Sequence, residues 1–152
     1  MHLLAAACED ICVPIVRAKG QMSFRDQIEE MVRPEYLESW RLRQKAPYNF
    51  FKHGGADPDQ ELDFFDPRAN DMKLLSACYD HLRAFEDIPM QATVFMGWHL
   101  AEYPQLLTDY GTGLFGSILD EFKGLDEGGR WRLARQMLPA AAIVERQRLQ
   151  SK

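Results

Sequence analysis

Ala92-Thr93-Val94-Phe95-Met96-Gly97-Trp98-His99-Leu100-Ala101 places apolar side chains on almost every side of a helical wheel. Nothing in it alternates with the period of two that a half-buried strand needs. The run is also far shorter than the roughly 20 apolar residues that span a bilayer. A helix that is apolar all round belongs in the middle of a helical protein. Pro89 stands just ahead of it, where a fixed φ and a missing N–H suit a helix start. The stretch therefore reads as a central helix, with the rest of the chain arranged about it.

Working outward, the apolar spacing stays helical almost throughout. Residues 2–19 place Leu4, Cys8, Ile11 and Ile15 on one stripe, with Pro14 as an expected kink and Gly20 as the stop. Ser23 three residues before Asp26 is close to a capping box, and Phe24, Ile28, Met31 and Val32 make the stripe that follows. Pro34 suits the first turn of a third helix, which runs on to Lys45, and Pro47 restarts the chain. Asp66-Pro67 is an N-cap and N1 pair for a helix to about Phe85 with Leu75, Cys78, Tyr79, Leu82 and Phe85 on its stripe. Gly111 and Gly113 mark a loop before Leu114–Phe122. The last segment starts after Gly128-Gly129 and is bent or split at Pro139. The expectation is a single all-α domain over residues 1–152, an irregular bundle of about six helices.

The chain has 152 residues, a length that buries a real core. Its formal net charge of −5 argues against a dedicated DNA-binding protein. The opening LLAAAC lacks a basic segment and meets Glu9 and Asp10 at once, so it reads as a helix of the mature protein rather than a leader. Cys8, Cys12 and Cys78 are too few and too odd for a disulfide framework. Cys8 and Cys12 share a helix face without a second ligand pair at finger spacing, which favours small buried hydrophobes over a metal site. A cytoplasmic protein without membrane, metal or cofactor is expected.

The most unusual stretch for chemistry is Tyr48-Asn49-Phe50-Phe51-Lys52-His53, followed by Gly54-Gly55 and Asp57-Pro58-Asp59. Its residues admit a structural account. Asn49 and His53 share a face of a short helix, a glycine caps it, and the aspartates turn the chain. They also admit a functional one. His53 is then a proton-transfer group oriented by Asn49 and by Asp57 or Asp59, with Tyr48, Lys52 and Asp63 as the accompanying binding candidates. The loop from 54 to 67 carries five acids, Asp57, Asp59, Glu61, Asp63 and Asp66. It opens like a calcium loop, but Leu62 and Arg68 stand where that loop needs glycine and glutamate.

NFFKHGGADPD with LDFFDP at 62–67 resembles a motif, roughly NFFKHA-x-x-DPD, of short uncharacterised bacterial helical proteins, over about Pro34 to Pro104. The resemblance implies a helical fold and an important loop, and no particular reaction. The double glycine departs from the usual alanine. A fainter resemblance is to HEPN-type helical bundles, some of which cleave RNA with an arginine and a histidine separated by four to six residues. Ala46, Pro47 and Tyr48 occupy those places before His53, so the resemblance implies a shape and not that catalysis.

The segment from Arg130 to Lys152 is basic, with Arg132, Arg135, Arg146 and Arg148 between. It is a candidate nucleic-acid contact, weighed against a solvated helix face or attraction to the protein's own acidic loop. The favoured function is a non-catalytic helical module that binds a protein partner or assembles with itself. The alternative is a small hydrolase or nuclease with His53 as general acid–base, and the residues leave open whether there is catalysis.

Overall fold

The computed structural model describes residues 2–53, 68–103 and 109–151. They form helices α1 (His2–Ala18), α2 (Phe24–Met31), α3 (Pro34–His53), α4 (Arg68–Phe85), α5 (Met90–Glu102), α6 (Asp109–Phe122) and α7 (Glu127–Gln150). Among the described residues there is no strand, and no helix is long and apolar enough to cross a membrane. The all-α expectation is therefore met, with seven helices in place of about six. Contacts gather the chain into two compact units, Met1–Asp87 and Ile88–Lys152.

In the first unit, α1 packs along α4, with α3 against α1 and α2 against α4. The seam between α1 and α4 is made of small side chains: Ala5, Ala6 and Cys12 from one side, Ala77 and Ala84 from the other, all buried. Small residues let the two backbones approach closely. This rotates α1 away from the expected stripe. Its inner face is Ala5, Glu9, Cys12 and Val16, while Leu4 and Ile11 are 79% and 63% exposed. On α4 the inner face is likewise Leu75, Ser76, Ala77, Asp80 and Ala84, and Phe85 lies outside. α1 ends as its sequence requires. Gly20 takes φ +71°, Gln21 N–H donates to the Val16 carbonyl, and Gly20 N–H donates to that of Arg17, a Schellman ending. The Ser23–Asp26 capping box opens α2 with both reciprocal bonds made.

Two expected breaks are absent: α3 runs through Pro47, and α6 includes Gly111 and Gly113. α7, expected to be bent or split at Pro139, is not split there. A proline removes one bond and crowds the preceding turn, which a long helix held by packing absorbs as a bend. Pro47 is buried, so packing holds that turn. α7 starts at Glu127, ahead of the two glycines and not after them, because the Asp126 side chain accepts the Gly129 N–H at 2.7 Å.

In the second unit α5 packs against both α6 and α7. Val94, Phe122, Ala134 and Ala141 form the core, with Trp98, Ile118 and Met137 packed on it. The central role expected of residues 92–101 is observed within this unit: Val94, Met96, Gly97, His99 and Leu100 are all buried. Trp98 is only half-buried, its ring 5.7 Å from that of Trp131.

Candidate functional site

The motif that begins at Tyr48 falls on the last turns of α3. Asn49 is exposed there. Tyr48 donates its hydroxyl to Asp10 at 3.4 Å, and the Lys52 ammonium lies 5.1 Å from the centre of the Tyr48 ring. Phe50 and Phe51 meet edge to face at 5.4 Å, with Phe51 turned outward. Two of the binding candidates, Tyr48 and Lys52, are thus brought together by their spacing on one helix. The His53 side chain and the loop carrying Asp57, Asp59 and Asp63 lie outside the described residues.

The polar groups that the fold buries in the first unit were not singled out by the sequence. Glu9 on α1 and Lys73 on α4 form an ion pair inside the seam. Two turns further along α4 stands Asp80, fully buried at 0% exposure. Its Oδ1 accepts the Phe24 N–H at 2.8 Å, so α4 supplies a carboxylate to the first turn of α2. Its Oδ2 has no hydrogen-bond partner. Burial pushes the Asp80 carboxyl up to about 6. Glu9 and Asp26 push the same way, against the Phe24 N–H and Arg83.

Two further carboxylates meet arginines near the surface. Arg17 grips Asp26 with two bonds, at 2.5 and 3.1 Å, and holds that carboxyl well below its usual range. Glu29 receives Arg41 at 2.5 Å and Arg25 at 2.9 Å, and the Arg41 bond is the main reason its carboxyl is lowered.

The thiols gather at the same seam. Cys8 Sγ is 3.7 Å from Cys12 Sγ and 3.9 Å from the Ala77 carbonyl. Burial pushes the Cys12 thiol up to about 12 and that of Cys78 to about 11, so both stay protonated and weakly nucleophilic. Among the described residues no three His, Cys, Asp or Glu side chains are placed to hold a metal ion.

In the second unit His99 is buried within an aromatic group, 5.2 Å from the Tyr103 ring and 6.0 Å from that of Phe95. Glu145 on α7 accepts the Met90 N–H at 3.1 Å and pairs with Arg148 at 2.6 Å. Arg130 donates to the Leu125 carbonyl at 2.7 Å and lies 3.6 Å from Glu102. Two arginines of the basic segment are thus engaged inside their own unit, while Arg132, Arg135 and Arg146 are exposed.

One surface stands out. Leu4, Ala7, Ile11, Pro14 and Ala18 are all exposed and recur at intervals of three and four along the outside of α1. The helix is apolar on both its inner and outer faces, and only the inner one is covered by α4. No family model matches this chain, and no curated protein or solved structure matches it.

Proposed function

We propose that this chain is a non-catalytic helical module, an irregular bundle working in the cytoplasm, that assembles with a second copy of itself through the outer face of α1. The observation that supports this reading is the exposed line Leu4-Ala7-Ile11-Pro14-Ala18. Its spacing is that of the a and d positions of a helix-to-helix seam. Leu4 and Ile11 carry large exposed apolar side chains that no helix of the first unit covers among the described residues. A second α1 is the simplest complement to such a line, since a two-fold contact needs only one self-complementary surface. The line is two heptads long, so a weak association is expected, strengthening with protein concentration. The competing reading, acid–base chemistry at His53, draws support from the motif alone.

The test is sedimentation velocity on the chain and on a Leu4→Ser/Ile11→Ser double variant, from low to high micromolar concentration. The parent should shift to a larger species as concentration rises, and the variant should stay monomeric with unchanged helicity. A parent that stays monomeric throughout refutes the self-assembly. Equal association in the variant places it elsewhere than α1.

A further inference from the structure

Two depressions in the first unit share a wall. One, of about 350 Å³, is polar, with Arg17, Arg25, Arg41 and Lys45 standing over Glu29 and Glu38. The other, of about 210 Å³, has Phe24, Ile28, Trp40 and Met72 on its sides and the Lys73–Glu9 pair beside them. Arg25 and Lys45 line both, so they stand where the polar depression meets the apolar one.

The charges at that junction do not cancel. Arg17 is held by Asp26, and Lys73 is held by Glu9. Arg25 and Arg41 share the single carboxylate of Glu29. Lys45 has no carboxylate partner among the described residues and is exposed. A guanidinium has five N–H donors, and the Arg25–Glu29 pair is made through Nε alone. An anion placed at the junction therefore meets an ammonium and the fork of a guanidinium that is already fixed by its neighbour. Next to it lies a pocket walled by an indole, a phenyl ring and two aliphatic side chains. A dry cavity of about 150 Å³ is enough for a benzene ring, so the apolar depression holds a body of ring size or somewhat more.

We propose that this paired depression is a binding site for a small amphiphilic anion. Its aromatic or branched aliphatic body lies against Phe24, Ile28, Trp40 and Met72. Its anionic oxygen head is held by Lys45 and Arg25. The apolar wall gives affinity without direction, and the two cations set which end of the ligand enters. The site is independent of the outer face of α1, so the two readings stand or fall separately.

The experiment is a titration of the full chain followed by NMR at the indole N–H of Trp40, identified by its loss in Trp40→Phe. The probes are phenyl phosphate and benzoate, with inorganic phosphate and toluene as the two halves of the ligand taken alone. At least one of the two anions should shift the Trp40 signal saturably, with a Kd of about 1 mM or tighter. Inorganic phosphate should bind at least about tenfold more weakly. Lys45→Gln should weaken the anion about tenfold and leave toluene binding unchanged, because only the head loses a contact. Lys45 is exposed, so its replacement leaves the packing intact. Failure of both anions to saturate the Trp40 signal overturns the proposal. So does a Lys45→Gln variant that binds them as well as the parent, or binding confined to resonances of residues 88–151.

Discussion

Asp80→Asn isolates the energetic consequence of burying a carboxyl with one partner. The native side chain accepts the Phe24 N–H through Oδ1, and its other oxygen is buried with none. Its pKa rises from the ordinary 3.8 to about 6. Because the folded value is the higher one, the folded state holds a proton that the unfolded state has released between those pH values. Stability contributed by that proton is complete below about pH 4 and is lost as pH rises through about 6. At about 1.36 kcal/mol for each pH unit, the gap between 3.8 and about 6 is worth about 3 kcal/mol. Asparagine keeps the accepting oxygen and carries no charge to bury. Any constant cost of its amide is the same at every pH. Urea unfolding of both proteins from about pH 4 to about pH 8 should show the variant gaining about 3 kcal/mol relative to the parent across that range. Titrating groups remote from Asp80 are common to both and drop out of the difference. Two stability profiles that run parallel would refute the reasoning, and would mean that Asp80 is ionised in the fold at no cost.

A Cβ added at Gly97 would stand 2.7 Å from both Ile118 Cγ atoms, at the contact of α5 with α6. The roughly 1 kcal/mol of helix propensity that alanine brings is outweighed by overpacking of about 1–3 kcal/mol against a stiff β-branched neighbour. Gly97→Ala should therefore lower the thermal midpoint, and it should cost less in an Ile118→Ala background, where both Cγ atoms are gone, than in the parent. A single variant that melts at or above the parent would contradict this. The thiols give a chemical readout. With Cys12 pushed up to about 12 and Cys78 to about 11, iodoacetamide at neutral pH should label Cys8 first and reach the other two only as the protein opens. Peptide mass spectrometry that finds Cys12 labelled as fast as Cys8 would overturn the burial argument.

Helix type and most boundaries were legible because local signals are strong: Ser23 with Asp26, Gly20, Pro34 and the apolar run at 92–101 each did what their chemistry dictates. Register on α1 was not legible. That helix is apolar on two faces, and hydrophobicity alone favours the larger Leu4 and Ile11 for the inside. What decides is the separation from α4, a property of two helices that neither shows alone. The same separation explains why Ala5, Cys12, Ala77 and Ala84 outrank bulkier neighbours. Pro47 misled because a single residue cannot report the packing that holds the helix around it. Of the candidate residues, Tyr48 and Lys52 meet on α3, a pairing that their spacing of four carries but that the sequence reading, which paired Asn49 with His53, did not draw. Asp80, Glu9 and Lys73 were missed because a charge on a helix reads as a solvated one until its neighbour is known. The only hint was their position on the buried side of a helix whose other inner residues are alanine, serine and leucine.

Two helices begin on a carboxylate that lies far along the chain. The first peptide N–H of α2 is met by Asp80, 56 residues later, and that of α5 by Glu145, 55 residues later. Neither helix meets that first N–H from its own neighbourhood, although the Ser23–Asp26 box caps the rest of the α2 start locally. As the polypeptide emerges during synthesis, the Phe24 N–H stays with water until α4 is made, and the Met90 N–H until the second half of α7 is. An eight-residue helix such as α2 is too short to persist meanwhile. Each closure is a long loop to be shut before the turn gains its bond. Those two N–H groups therefore leave water for a protein partner only once α4 and α7 are in place.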